Sequence, residues 1–312
     1  MPAFLVRLTL FLLLQALLGA AVLHWGRVPT TTNYLAGTRE KHARLQRIAP
    51  PRVLLVGGSN VPFGFQSARI EDALGLAVVN LGLVGGLGIG FMLDEVRDAV
   101  APGDVVVLSF EYELFNGGSD AAVQRQVVQF RPANLRHLPV ARWPGFLDRD
   151  ALPLIGGAFR AALGLDRGGD ASATDGGAHA GFNAWGDYVG HWGRPRPAGD
   201  GPRGSRGTAV TLTGRVREQL ARFAQYCRER GARCALTFPP HPTAVLEARR
   251  DEVTRVVEAL RAIPGLAVLD GPFDQAYPEA LFYDTGYHLV EAGSAQRTDK
   301  LIAALRPLIA GR

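Results

Sequence analysis

The stretch RVLLVGGSNVPFGF, Arg52–Phe65, decides the fold. Val53–Val56 is a short uninterrupted apolar run, the pattern of a strand covered on both faces. Gly57 and Gly58 follow, where the chain can turn sharply because no side chain stands in the way. Ser59 and Asn60 come next, so this strand ends on a hydroxyl and an amide. In an open parallel sheet the carboxyl ends of the strands are where ligands bind. The same turn also suits a plain strand-to-helix connection with a serine N-cap. The rest of the chain has to decide between the two.

Working outward, four more strand-like runs appear: Ala77–Leu81, Val105–Ser109, Cys234–Phe238 and Leu266–Leu269. Helical stretches alternate with them, at Thr38–Ile48, Ser67–Leu74, Phe91–Val100, Val216–Arg230, Ala244–Ile263 and Ala292–Ile309. Strands alternating with helices predict an α/β fold with a parallel sheet between two helical layers. Right-handed crossovers then give a flavodoxin-like, three-layer, doubly wound arrangement.

The rhythm breaks from Leu114 to about Gly207, which reads as an insertion at about 115–207. Two Gly-, Pro- and Arg-rich stretches, 166–181 and 193–207, are expected to be loops. Between them lies FNAWGDYVGHW, 182–192. Asp187 and His191 are four apart there and could share the face of an amphipathic packing helix. In a cleft-covering element the same pair could touch substrate, with Trp185, Tyr188 and Trp192 suited to stacking on a sugar ring.

Of 312 residues 47% are hydrophobic and 20% charged, enough to bury a sizeable core. The net charge of +5 is spread along the chain, with no dense basic stripe interleaved with aromatics, so no nucleic-acid partner is expected. Leu8–Trp25 is almost wholly apolar and follows Arg7. Its length approaches that of a membrane-crossing helix, and it reads as an uncleaved signal-anchor over 1–26. A polar and basic stalk over 27–50 would then lead to one domain over 51–312. The two cysteines, Cys227 and Cys234, could form a disulfide or remain two buried thiols. No clustered Cys/His set implies a metal, and no organic cofactor is expected.

The strand ends carry the chemistry. The first ends on Ser59 and Asn60, and the second on Asn80, Gly82, Gly85 and Gly86. Glu111 and Glu113 follow the third, and would lie on one face of an extended strand about 7 Å apart. The fourth leads to His241, in a loop between prolines, and the fifth to Asp284 and His288. A parallel sheet brings these ends to one edge. Serine becomes a nucleophile when an imidazole takes its proton and a carboxylate fixes the imidazole tautomer. Ser59 would attack, His288 would be the base and Asp284 its orienter, with the Ser59 and Gly82 amides in the oxyanion hole. Asn60, Asn80, Glu111, Glu113, His241, Asp187 and His191 are candidates for binding substrate.

At these residues the sequence resembles the SGNH/GDSL hydrolase superfamily. GGSN looks like a variant of the Gly-Asp-Ser block, NLGLVGG is similar to the second block, and FYDTGYHLVEAGSAQRTDKL resembles the terminal Asp/His block and its closing helix. The resemblance covers roughly Arg52–Phe115 and Cys234–Leu305. Three positions depart from it: Gly58 precedes the serine where the family has aspartate, Glu111 and its neighbours stand where it has asparagine, and Asp284 lies four rather than three residues before His288. Membrane-anchored SGNH-like proteins of bacterial surface-polymer pathways diverge in similar blocks. That likeness implies ester hydrolysis or O-acyl transfer on a cell-surface glycan or lipid-linked acceptor. It also implies a single-pass protein of the bacterial inner membrane, its domain extracytoplasmic, beside a membrane-bound O-acyltransferase. The alternative is a non-catalytic scaffold of the same fold that binds a glycan or a biosynthetic partner.

Overall fold

The computed structural model describes residues 2–25, 33–143, 179–197 and 209–310. The chain begins with helix α1 (Pro2–Trp25). Helix α2 (Thr38–Arg47) then precedes strand β1 (Arg52–Gly57), helix α3 (Ser67–Leu74), strand β2 (Ala77–Asn80), helix α4 (Ile89–Arg97) and strand β3 (Val105–Ser109). Helix α5 (Ala121–Phe130) lies early in the insertion, well before the 182–192 stretch where a packing helix was expected, and is capped by the Asp120 carboxylate. Helix α6 (Gly214–Glu229) leads to β4 (Arg233–Leu236). After β5 (His241–Pro242), α7 (Thr243–Ala248) and α8 (Arg250–Arg261) replace the single helix expected over 244–263, because the backbone leaves helical geometry at Arg249. Strands β6 (Leu266–Val268) and β7 (Ala276–Tyr277) and helix α9 (Glu291–Ala310) complete the order.

Five strands form one sheet in the order β2-β1-β3-β4-β6, every pairing parallel. This order is compatible with the flavodoxin-like arrangement, with β1 beside both β2 and β3 at the switch point. Alternation along each strand builds the two faces. Leu54, Val56, Val106, Leu108, Cys234 and Leu236 point to one core, packed with residues of α4, α6 and α8. Val53, Leu55, Val105 and Val107 point to the other, with Ile70 of α3 and Leu301, Ile302 and Leu305 of α9. At roughly 1.5–3 kcal/mol for each fully buried large side chain, these two faces dominate the stabilisation.

Part of the expected stalk belongs to the domain. Leu35, Ala36 and Leu45 join the larger core, and Lys41 donates from α2 to Asn80 O at 3.0 Å. The Gly-, Pro- and Arg-rich loops expected at 166–181 and 193–207 fall mostly outside the described residues. Cys227 and Cys234 are free and buried, not bridged, and the hydrogen bond with the Cys227 thiol, followed by burial, pushes the Cys234 thiol up. Among the described residues no helix is long and apolar enough to cross a membrane, so a transmembrane assignment finds no support in the fold. Helix α1 nonetheless exposes Phe4, Leu5, Val6, Leu8, Leu10, Phe11, Leu12, Leu13, Leu14, Leu17 and Leu18, and its side chains from Ala20 onward lie outside the described set.

Candidate active site

The turn after β1 is fixed before any ligand arrives. Asn60 is fully buried; its Nδ2 donates to Ser109 O at 3.0 Å, and its Oδ1 accepts from Ser109 Oγ at 2.9 Å. Gly57 is obligatory, because a Cβ there would collide with the Ser109 carbonyl on the neighbouring strand. Arg297 of α9, wholly buried, donates to Asn60 O at 2.7 Å, Asn60 Oδ1 at 3.1 Å, Ser109 Oγ at 2.8 Å and Phe238 O at 3.1 Å. One guanidinium thus joins the ends of β1, β3 and β4. Burial pulls it down to about 10, while Tyr277, Asp270 and Glu111 act to hold its charge.

The second half of the site is a loop. Tyr283 N–H donates to His288 O at 2.8 Å and closes a short turn that absorbs the extra residue between Asp284 and His288. Within it His288 Nδ1 meets Asp284 Oδ1 at 2.7 Å. An ionised carboxylate only accepts, so Nδ1 carries a proton, and in the neutral ring the lone pair is then on Nε2, the tautomer a general base requires. Burial raises Asp284, but the hydrogen bond and charge of His288 outweigh it and leave the carboxyl below its usual value.

Phe63 joins the halves. Its N–H donates to Ser59 O at 3.2 Å, and its ring stacks on the His288 ring with centroids 3.9 Å apart. On the other side it stacks on Tyr188 at 4.6 Å. Tyr34, just ahead of α2, lies 5.5 Å from Tyr188 and donates to Leu83 O at 2.8 Å. Burial first, then the charges of Tyr188, Glu111 and Asp284, drive its hydroxyl well above the ordinary tyrosine value. Tyr34 therefore feels a carboxylate from each half of the site. Among the described residues Ser59 and His288 share no hydrogen bond; Ser59 Oγ donates to Glu111 Oε1 at 3.4 Å.

The other expected residues divide. The Gly82 N–H, expected in the oxyanion hole, donates to Asn80 Oδ1 at 3.1 Å. Gly85 is the glycine of that loop whose backbone abuts the Glu111 carboxylate. Asn80 is buried and holds Asp187 Oδ1 at 2.8 Å. Asp187 and His191 do not share a helix face: 182–192 is an irregular turn with a bridge between Phe182 and Tyr188. Asp187 accepts from Ser67 N at 2.8 Å and Ser67 Oγ at 2.5 Å, which caps α3 and pins the insertion to the sheet. His191 Nε2 donates to Leu289 O at 2.8 Å, and its ring lies 4.9 Å from Phe63, so the described part of the insertion covers the His288 side. Glu111 and Glu113 do not share a strand face; Glu111 follows β3 and Glu113 sits in a 3-10 turn, accepting from Tyr287 OH at 2.7 Å. His241 is not in a loop but in β5, its ring 4.9 Å from Tyr287, and burial pulls it down to about 4.

Among the described residues no group of His, Cys, Asp and Glu could hold a metal ion. No family model matches the chain, and no curated protein matches it. Among solved structures it is similar to a Streptococcus pneumonia protein named for platelet activating factor, at 12% identity and a TM-score of 0.38, over 88% of this chain and 91% of that one. The likeness is too slight to place the fold or the activity.

Proposed function

We propose that the chain is a serine-dependent esterase or O-acyltransferase of SGNH type, with Ser59 as nucleophile, His288 as base and Asp284 as its orienter. The observation that supports this best is the 2.7 Å His288–Asp284 pair, whose imidazole stacks on Phe63, the residue that bonds Ser59 O through its N–H. In the reaction Ser59 Oγ bonds to the ester carbon while its proton passes to His288 Nε2. The carbon–alkoxy bond then breaks, and the departing oxygen takes that proton. Water completes hydrolysis by the reverse sequence, and a glycan hydroxyl in its place completes acyl transfer.

A membrane location belongs to the same proposal. Apart from Arg7, Thr9, Gln15 and His24, α1 is apolar with no distinct polar face, which suits contact with lipid better than docking through one stripe. Tyr34, in the wall of the site, lies nine positions after Trp25, a tether of at most about 30 Å when fully extended. Such a site would stay within reach of a lipid-linked acceptor, a surface glycan or a membrane-bound O-acyltransferase supplying the acyl group. The test is turnover of p-nitrophenyl acetate by the full chain in detergent. Activity lost in both Ser59→Ala and His288→Ala supports the reading; activity surviving in either contradicts it. The rival, a scaffold that binds without catalysis, draws on the contact of Ser59 with Glu111 rather than His288.

A further inference from the structure

Glu111 occupies a pocket made by the serine turn itself. Its Oε1 accepts from Asn60 N–H at 3.0 Å and from Ser59 Oγ at 3.4 Å. Gly58 and Gly85 flank Oε2: a Cβ on Gly58 would collide with the carboxylate, and one on Gly85 would lie 3.4 Å from Oε2. The residue is 6% exposed, and Oε2 is buried with no hydrogen-bond partner. Buried polar atoms are normally paired, so an orphan oxygen beside a candidate nucleophile needs a physical reason. A backbone N–H in a tight turn is a donor for anions, and here the Asn60 N–H receives one from the chain itself. Attack by Ser59 would build a negative oxygen on the carbon that Oγ bonds, a few ångströms from a carboxylate. Like charges at that separation repel strongly in a site shielded from water.

We propose that Glu111 is an internal anion filling the pocket that a substrate oxyanion needs, so that the resting site is closed until this side chain leaves. The consequence for turnover rests on the serine reading above, whereas the occupancy of the pocket can be tested apart from it. The backbone beside it is held, where Leu114 N–H donates to Glu111 O at 3.0 Å and Tyr112 N–H to Tyr287 OH at 3.2 Å, so it is the side chain that would have to move.

The experiment compares the full chain in detergent with Glu111→Gln and Glu111→Ala, each checked for a cooperative thermal melt. Turnover of p-nitrophenyl acetate should rise in both variants by about a hundredfold over the wild type, the scale of gain for a repaired oxyanion site. Acetate should raise the melting temperature of Glu111→Ala, by refilling the vacated pocket, and leave the wild type unmoved. Variants no faster than an active wild type would overturn the proposal, as would acetate acting on both proteins alike or on neither. Acetate stabilising Glu111→Ala with no turnover in any protein would uphold the occupied pocket and remove the serine reading instead.

Discussion

The two halves of the candidate site are held in opposite ways. The serine turn is clamped from within the core: Asn60 and Ser109 exchange hydrogen bonds, and Arg297 ties three strand ends together without touching solvent. The histidine loop lies nearer the surface and is held by many separate contacts: backbone bonds within 281–290, the His288–Asp284 pair, Tyr287 on Glu113, His191 on Leu289 O and the stacked Phe63 ring. Asp284 leaves 37% of its side chain exposed, whereas Arg297 leaves none. The position of Ser59 is thus tied to the core, while that of His288 rests on contacts within its own loop and with its neighbours. Stability and catalysis should accordingly respond to different residues.

The largest stability effect should come from Arg297→Leu. Removing the guanidinium takes a donor from four buried acceptors and leaves Asn60 O and Phe238 O without the bond it made, and about 3–5 kcal/mol should be lost in urea unfolding, as when one member of a buried charged network is deleted. Phe63→Ala comes next, at roughly 3 kcal/mol for a buried ring, and because that ring bridges the halves it should also lower turnover. A pH-dependent effect follows from Lys41, which burial lowers to about 7 from 10.5. Between those values the unfolded chain holds a proton that the folded chain lacks, so stability should rise with pH across that window. Lys41→Met should flatten the slope; an unchanged slope would show that another group titrates there. Asp284→Asn should cost least, about 1 kcal/mol or less for a partly exposed pair. Its carboxyl lies below its ordinary 3.8 when folded, so the stability it contributes is present above that value and fades as pH falls through the folded one. For turnover the order reverses, because Asp284→Asn should slow ester hydrolysis by roughly 10⁴ through the wrong imidazole tautomer. If Arg297→Leu and Asp284→Asn instead lost stability equally, the contrast between the halves would fail.

How much of this was legible in the sequence follows the same division. The strands were readable because each is a short apolar run closed by glycine or polar residues, and with β1 came the place of Ser59 in the turn just after it. The clamp was not. Arg297 looks like a surface residue of a closing helix, yet it shares the stripe of Ser294, Leu301 and Leu305, and a base on an apolar stripe was the available signal. Tyr34 and Phe63 carried no such mark, since they meet the site through contacts that only the folded chain creates. The helical spacing of Asp187 and His191 misled because Gly186, with φ +97, and the bonds of Asp187 to Ser67 and Asn80 fix a turn instead. A carboxylate as the partner of Ser59 was likewise invisible, because its meaning depends on which turn it faces.

The most direct test of the central claim is covalent labelling with a fluorophosphonate probe, mapped by peptide mass spectrometry. It would be run on the full chain, on Glu111→Gln and on each combined with His288→Ala. The account predicts one adduct, on Ser59, formed faster in Glu111→Gln and absent whenever His288 is replaced. Folded Glu111→Gln that takes up no probe at Ser59, or takes it up equally without His288, would contradict it.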